Sequence, residues 1–270
     1  MSQKLRAFGL VALHCGCLSF FASPVSAQLF SSPEMTKQAS ALPLEFNNDN
    51  APSGFDGQGR PRSRTSGGSR GGCGDLLVAL LPGSDVVQTT DATTACNLAS
   101  ASDLAATLES NPTLWFHVPA QVQSDVVAEL VLLDNNEQVL SSDMVALPIA
   151  GGVIGLQLSH DLETNQVYHW IFSILNQPNS PSQNPTVEGS LQRTIAVPSL
   201  LAALNTAQGA PSRIQALAQY GIWHDALHGL ALLYQAEPNN IAIQDDWASL
   251  LSSVGLEEIA EEKPVDCCLN

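Results

Sequence analysis

The spacing of apolar residues changes at Pro198, and this change restricts the chain to a β part followed by a helical part. Before Pro198, short apolar runs rich in β-branched and aromatic residues alternate with clusters of Pro, Asn, Gly and Ser, which is typical of strands joined by turns. Beyond Pro198, apolar residues recur at helical spacing. We therefore expect an α+β fold in which an antiparallel β-sandwich of immunoglobulin-like size precedes a short helical tail.

The β part contains seven predicted strands. In the clearest of them, Val167–Leu175, the bulky side chains from Tyr168 to Ile174 occupy alternate positions and share one face. Residues 134–137 read Asp-Asn-Asn-Glu and lie between two strands, which favours a hairpin turn because Asn and Asp tolerate positive φ. The predicted strands are Leu76–Leu81, Thr113–Val118, Val126–Leu133, Gln138–Leu147, Val153–Leu158, Val167–Leu175 and Val187–Val197.

The helical tail shows a period of 34 residues. Advancing by this period moves Gly221 onto Gly255 and Ala226 onto Ala260. The stretch around Gly221 resembles the second helix of a tetratricopeptide repeat (TPR), so we expect a TPR-like tail; an unrelated helical hairpin is the alternative. The chain holds less than two such units, and a lone unit must pack on the sheets or on another chain.

The first 27 residues have the pattern of a secretory signal peptide. Lys4 and Arg6 precede an apolar stretch, and Val25 and Ala27 supply the small residues before a cleavage site. Cleavage after Ala27 predicts a periplasmic or secreted protein. A buried N-terminal helix and a lipoprotein leader are the alternatives.

Charge and composition divide the rest of the chain. Residues 28–72 carry a net charge of +1 and are rich in Gly, Ser, Pro and Arg from position 47 on, which predicts a flexible linker that acts as a spacer or contacts an acidic surface. Residues 73–270 carry three basic residues and 22 acidic ones. The predicted organisation is a signal peptide over 1–27, a linker over 28–72, a β-sandwich over 73–197, a TPR-like segment over 198–262 and a disordered tail over 263–270.

The formal charge of −16 excludes some partner classes. Nucleic acids and anionic membranes require clustered Lys and Arg, which the acidic body lacks, so neither is expected as the main partner. No uncharged apolar run after the leader is long enough to cross a bilayer, so we expect no membrane span in the mature chain.

Four cysteines follow the leader, in a compartment that permits disulfides. A bridge between Cys73 and Cys96 would fix the start of the fold, and it is the preferred pairing. Cys267 and Cys268 lie within the last four residues, where pairing with another molecule or no pairing is expected rather than a bond between the two.

The candidate binding residues are aromatic residues and histidines in both parts. Trp115 and His117 lie on a predicted strand, where an exposed aromatic face would bind a glycan and a buried one would form core. Trp223, His224 and Trp247 belong to the helical tail, which would bind another protein.

Two of the histidines have the spacing of metal ligands. His224 and His228 are four residues apart and share one helix face that we expect to be partly exposed, but Asp225 replaces the Glu of a zinc protease and no third ligand is placed. The sequence therefore predicts no metal and no cofactor.

Seven stretches follow one another along the chain: Ser69–Cys73, Asn111–Pro119, Ala128–Leu132, Tyr168–Trp170, Val187–Arg193, Tyr220–Leu227 and Asp246–Ile259. Together they resemble a known family, the cyanobacterial domain of unknown function 928. The resemblance implies an exported protein and assigns no catalytic residues. In that family a Cys usually follows the strand that ends here at Leu175, where this chain has Asn176; the resemblance thus leaves Cys96 to pair with Cys73. His224 and His228 are not part of the family pattern.

These observations favour a non-enzymatic protein-interaction or scaffold module of the cell envelope, with an envelope or extracellular protein as partner. No nucleophile, base and acid converge in the sequence, so catalysis is not expected. A glycan-binding module using Trp115 and His117 is the first alternative, and a metal-dependent hydrolase using His224 and His228 is the second.

Overall fold

The computed structural model describes residues 43–50, 76–83, 104–121, 125–265 and 267–268. All of them belong to one compact unit that extends over Ala41–Asn270. The predicted signal peptide, most of the predicted linker, and Cys73 and Cys96 lie outside the described residues.

The fold is mixed α+β, as predicted from the change of spacing at Pro198. In the described residues, a three-stranded sheet has the order β1-β3-β6 and a five-stranded sheet has the order β2-β8-β7-β4-β5. The strands are β1 (Val78–Ala79), β2 (Ala105–Thr107), β3 (Thr113–Val118), β4 (Val127–Leu133), β5 (Val139–Ala146), β6 (Gly152–Gln157), β7 (Val167–Ile174) and β8 (Thr186–Arg193). The helices are α1 (Pro198–Thr206), α2 (Gly209–Gln219), α3 (Trp223–Ala236) and α4 (Ile241–Ser252).

The strands follow the pattern of their residues. Alternate side chains of β7 are buried along its whole length, as the spacing from Tyr168 to Ile174 predicts. The turn between β4 and β5 is also confirmed: Asp134 accepts hydrogen bonds from the backbone N–H groups of Asn136 and Gln138, and Glu137 has a φ of 62°. This Asx turn sets the register of the hairpin.

Strand β3 is buried on both faces. Phe116 faces the five-stranded sheet, where its ring stacks on Phe172 with centroids 4.2 Å apart. Trp115, on the opposite face, lies 6.0 Å from the ring of His228 in α3. The three-stranded sheet therefore lies between the five-stranded sheet and the helices, and every residue of β3 is buried.

One strand was not predicted. Ala105–Thr107 forms β2, which pairs in parallel with β8, whereas every other strand pair is antiparallel among the described residues. Its three residues are too few to give a periodic signal. Tertiary contacts hold it instead, because Thr107 and the N–H of Leu108 both donate to the carboxylate of Asp225.

Two turns in the helical part are equivalent after a shift of 34 residues. After α2, the N–H of Ile222 donates to the carbonyl of Leu217. After α4, the N–H of Leu256 donates to the carbonyl of Leu251. Each turn contains a glycine with positive φ, 73° at Gly221 and 70° at Gly255. Both are Schellman caps, and a glycine adopts the required left-handed backbone without a Cβ penalty.

Part of the predicted linker is ordered. Leu44 and Phe46 are buried, and the ring of Phe46 meets Trp223 edge-on with centroids 5.0 Å apart. The N–H of Phe46 donates to Ser253 Oγ. Since the two apolar residues of this stretch share one face, they gain enough burial to fix residues 43–50 on the helices.

The predicted disordered tail is also partly ordered. Pro264 forms a β-bridge with Val153 of β6, and the N–H of Val265 donates to the carbonyl of Val153. Cys267 and Cys268 are joined to each other by a disulfide, so the expectation that they would not pair together is wrong. Cys268 has a φ of 71°, which turns the chain so that the two sulfur atoms meet.

No helix in the described part of the chain is long and apolar enough to span a bilayer.

Candidate functional site

The structure places all five predicted binding residues in the interior. None of these side chains is available at the surface, although the sequence suggested a surface role for each. The exposed fractions are 2% for Trp115, 3% for His117, 0% for Trp223, 2% for His224 and 1% for Trp247.

Trp115 and His117 lie on the face of β3 that the helices cover. His117 Nδ1 is 3.0 Å from the carbonyl oxygen of Leu76, and burial lowers the pKa of this imidazole. Alternation along the strand placed both residues on one face, but it carried no information on what covers that face. Their burial does not favour the glycan-binding alternative, which needs both side chains at the surface.

Trp223 and Trp247 anchor the helices to their surroundings. The indole N–H of Trp223 donates to the carbonyl of Leu80 over 2.8 Å, which ties the start of α3 to the end of β1. The indole N–H of Trp247 donates to the carbonyl of Glu262 over 3.0 Å, and its ring meets Tyr234 edge-on. Both side chains therefore hold the fold together.

His224 is buried, and the expectation that it would lie on a partly exposed helix surface is wrong. Neither of its ring nitrogens has a hydrogen-bond partner, and burial lowers its pKa to about 3. The imidazole is therefore neutral at physiological pH. His228, one turn along, is partly buried, and within the described residues no three His, Cys, Asp or Glu side chains stand close enough to hold a metal ion.

Asp225 is a half-buried polar residue whose role in the fold could not be predicted from the sequence, where it stood out only as the residue in place of a zinc-protease Glu. Its carboxylate accepts from Thr107 Oγ1 at 2.5 Å and from the N–H of Leu108 at 2.8 Å. Burial raises its pKa to about 6, against the effect of these two hydrogen bonds, which lower it. These bonds join α3 to β2, so the geometry of Asp225 is that of a structural link.

An open cleft of about 420 Å³ lies where β8 leads into α1; we call it the α1 cleft. Its residues come from three separate parts of the chain, so no single motif could have predicted it. The lining residues are Asn50, Thr194, Ile195, Val197, Ser199, Leu200, Tyr220 and Ile222.

Large apolar side chains stand exposed at the α1 cleft. Ile195 is 67% exposed and Val197 is 50% exposed, and both line it. Leu201, one residue beyond the lining residue Leu200, is 48% exposed. The predicted strand Val187–Val197 includes Ile195 and Val197, but β8 ends at Arg193, so both residues lie in the connection to α1.

The walls of the α1 cleft are fixed by the surrounding structure. Arg193 donates to the carbonyls of Leu108 and Leu162, which holds the end of β8. Pro198 begins α1, a position where proline is favoured because its missing N–H would have no helical partner. Another lining residue, Tyr220, is the C-terminal cap of α2.

The chemistry of the α1 cleft is that of an apolar binding surface with a few neutral polar groups. None of the lining residues carries a charge, and the hydroxyls of Thr194, Ser199 and Tyr220 can donate or accept hydrogen bonds. A cleft of this volume, lined by apolar side chains and a few hydroxyls, can hold apolar side chains of a ligand.

Comparison with known proteins identifies the family. No curated protein matches the chain. Residues 65–264 match the model of one protein family, which covers most of the chain and includes both sheets and all four helices. The match confirms the resemblance seen in the stretches from Ser69 to Ile259. The chain belongs to the family described as Domain of Unknown Function (DUF928).

Proposed function

We propose that the protein is an exported, non-enzymatic protein-interaction module of the cell envelope that binds an apolar segment of another exported protein in the α1 cleft. One observation carries this proposal: exposed apolar side chains border a cleft without charged lining residues. Contiguous apolar surface of this kind marks interaction sites, because its exposure to water is unfavourable.

The composition of the α1 cleft supports binding rather than catalysis. Its lining contains no carboxylate, imidazole, ammonium or thiol group that could act as a general acid or base beside Ser199. Tyr220 offers an aromatic ring with a hydroxyl, and tyrosine is enriched among the residues that dominate binding energy at interfaces. An apolar peptide segment satisfies both features.

The finer architecture that we propose is a β-sandwich followed by a TPR-like tail. The stacking of Phe116 on Phe172 across the two sheets supports the sandwich. The two Schellman caps at Gly221 and Gly255, 34 residues apart, support the repeat. Repeat units of the tetratricopeptide type usually bind peptides, which agrees with a peptide-binding role beside α2.

Export to the periplasm or the medium is part of the proposal and rests on the signal-peptide pattern of residues 1–27. N-terminal sequencing of the protein recovered from its producing cells tests it. We expect Gln28 as the first residue. Recovery of an intact Met1 would contradict export by this route.

The binding proposal is tested by comparing two substitutions at equally exposed isoleucines. Ile195 in the α1 cleft is 67% exposed and Ile241 at the start of α4 is 69% exposed. Ile195→Asp places a charge in the cleft, whereas Ile241→Asp makes the same chemical change outside it. Each tagged variant is used to capture partners from an envelope extract, with quantification by mass spectrometry.

We expect the native chain and Ile241→Asp to enrich the same partner, and Ile195→Asp to lose at least 90% of it, which is about 1.4 kcal/mol of binding energy. The proposal is wrong if no protein is enriched above a mock capture, or if both variants retain the partner equally.

A further inference from the structure

Strand β5 forms an open edge of the five-stranded sheet. It is eight residues long and pairs with β4 on one side. No described strand pairs with its other side, where Cys268 Sγ lies 3.8 Å from the carbonyl oxygen of Ala146, the last residue of β5. Four of its residues are exposed, and two of these are large and apolar, Val139 at 62% and Met144 at 58%. An edge of this length is a template for another strand.

The other sheet edges among the described strands are short or covered. β1 has two residues and β2 has three, and all five are buried. β6 is covered at Val153, where Pro264 forms a bridge and the N–H of Val265 donates to the carbonyl. In this part of the chain, β5 is therefore the edge left open.

The backbone of β5 directs hydrogen-bonding groups outward at alternate residues. The N–H of Leu147 donates to the carbonyl of Val126, the residue before β4, which places Leu147 among the residues whose backbone groups face inward. Because these roles alternate along an antiparallel strand, Val145 and Asp143 also face inward, and the N–H groups of Met144 and Ser142 face outward.

The surroundings of β5 are acidic, and the strand itself contains no Lys or Arg. Natural edge strands are often blocked by Lys or Pro, and β5 has neither. Glu129 of β4 lies beside β5 on the solvent face, and its carboxylate accepts a hydrogen bond from Ser142 Oγ at 2.6 Å. Two further acidic residues are near: Asp143 lies within β5, and Glu137 lies in the turn before it. The sequence has no Lys or Arg between Arg70 and Arg193.

We propose that β5 is a second docking surface, which takes up an extended segment of a partner protein with Lys or Arg at alternate positions. The segment adds a strand to the sheet: its backbone pairs with the outward groups of Ser142 and Met144, and its cations lie beside Glu129. Charge complementarity selects this occupant. A second copy of a chain with a net charge of −16 would bring like charges together.

Amide hydrogen exchange measured by NMR tests this proposal. The probe is a nine-residue peptide in which Lys and Val alternate, added to the purified protein at low salt. We expect exchange at the amides of Ser142 and Met144 to slow at least tenfold when the peptide is bound. A peptide in which Glu and Val alternate should give no protection.

Two substitutions at one position separate strand addition from a general effect of the charge. Met144→Pro removes an outward N–H and leaves the ladder with β4 intact, and it should abolish the protection at Ser142. Met144→Thr retains the N–H and should keep the protection. If Met144→Pro does not fold, Met144→Lys serves in its place, because a fixed cation at the edge should repel the peptide and abolish the protection.

Four results would overturn the proposal. The first is no protection at saturating peptide, and the second is equal protection by the Glu peptide. The third is protection without peptide that rises with protein concentration, which identifies a second copy as the occupant. The fourth is protection without peptide that disappears when Arg60, Arg62, Arg64 and Arg70 are replaced by Ser, which identifies the chain's own basic segment.

Discussion

Replacing His224 with leucine should make the protein less sensitive to acid. The imidazole is 2% exposed, and neither ring nitrogen has a hydrogen-bond partner. Leucine has a similar size and leaves no unsatisfied polar atom, so it removes a desolvation cost of about 1 to 3 kcal/mol. We therefore expect His224→Leu to be at least as stable as the native protein at pH 8.

The effect of pH follows from the lowered pKa of His224. The unfolded imidazole has a pKa of 6.5 and the folded one a pKa of about 3. Above pH 6.5 both states are neutral, and below it the unfolded state takes up a proton that the folded state does not, so stability falls with pH down to about 3. At pH 5 this loss is about 2 kcal/mol, since each pH unit below 6.5 contributes about 1.4 kcal/mol.

Urea unfolding followed by tryptophan fluorescence at pH 8 and pH 5 measures this difference. The stability advantage of His224→Leu over the native protein should be about 2 kcal/mol larger at pH 5 than at pH 8. Leu250→Ala is the control: Leu250 is 0% exposed and does not titrate, so its loss of about 3 kcal/mol should be the same at both pH values. An advantage of His224→Leu that does not change with pH would refute the reasoning, because it would mean that the folded imidazole can be protonated.

Three further substitutions test other contacts of the fold. Gly189→Ala would place a Cβ 2.5 Å from Cζ2 of Trp170. We therefore expect the free energy of urea unfolding to fall by about 1 to 3 kcal/mol and the indole emission to change. An unchanged unfolding midpoint would contradict this packing. Phe46→Ala should cost about 3 kcal/mol in the same assay because it removes the ring packed on Trp223, and a neutral result would mean that residues 43–50 do not dock on the helices. The stability of Asp225→Asn relative to the native protein should increase from pH 4 to pH 7, by at most about 3 kcal/mol. The reason is the raised pKa of about 6, which makes the folded carboxylate unfavourable as pH rises through this range. A difference in stability that is constant with pH would contradict the burial of the Asp225 charge.

Much of the sheet could be predicted from residue spacing. The expected strand at Thr113–Val118 has the observed bounds, and those at Val126–Leu133 and Val167–Leu175 each differ by one residue. Spacing succeeds here because each strand presents a periodic pattern over six or more residues. It fails for Ala105–Thr107, which is held by the carboxylate of Asp225 rather than by its own pattern.

Predicting which side chains are accessible was less successful, because accessibility depends on partners distant in sequence. Trp115 and His117 share a strand face, but only the fold shows that α3 covers it. The residues 43–50 were read as linker because the stretch that follows is rich in Gly, Ser and Arg, although Leu44 and Phe46 reach the helices. The α1 cleft draws on three separate segments and so has no signature in sequence.

The account depends most on the claim that the α1 cleft binds another protein, and cross-linking from inside the cleft tests this directly. A photoreactive amino acid at Val197, which is 50% exposed, is activated in the producing cells, and the products are resolved by electrophoresis and identified by mass spectrometry. The same group at Leu232 on α3, which is 44% exposed, provides the matched control. The account predicts a discrete cross-linked protein from Val197 and none from Leu232. No product from Val197, or the same product from both positions, would contradict it.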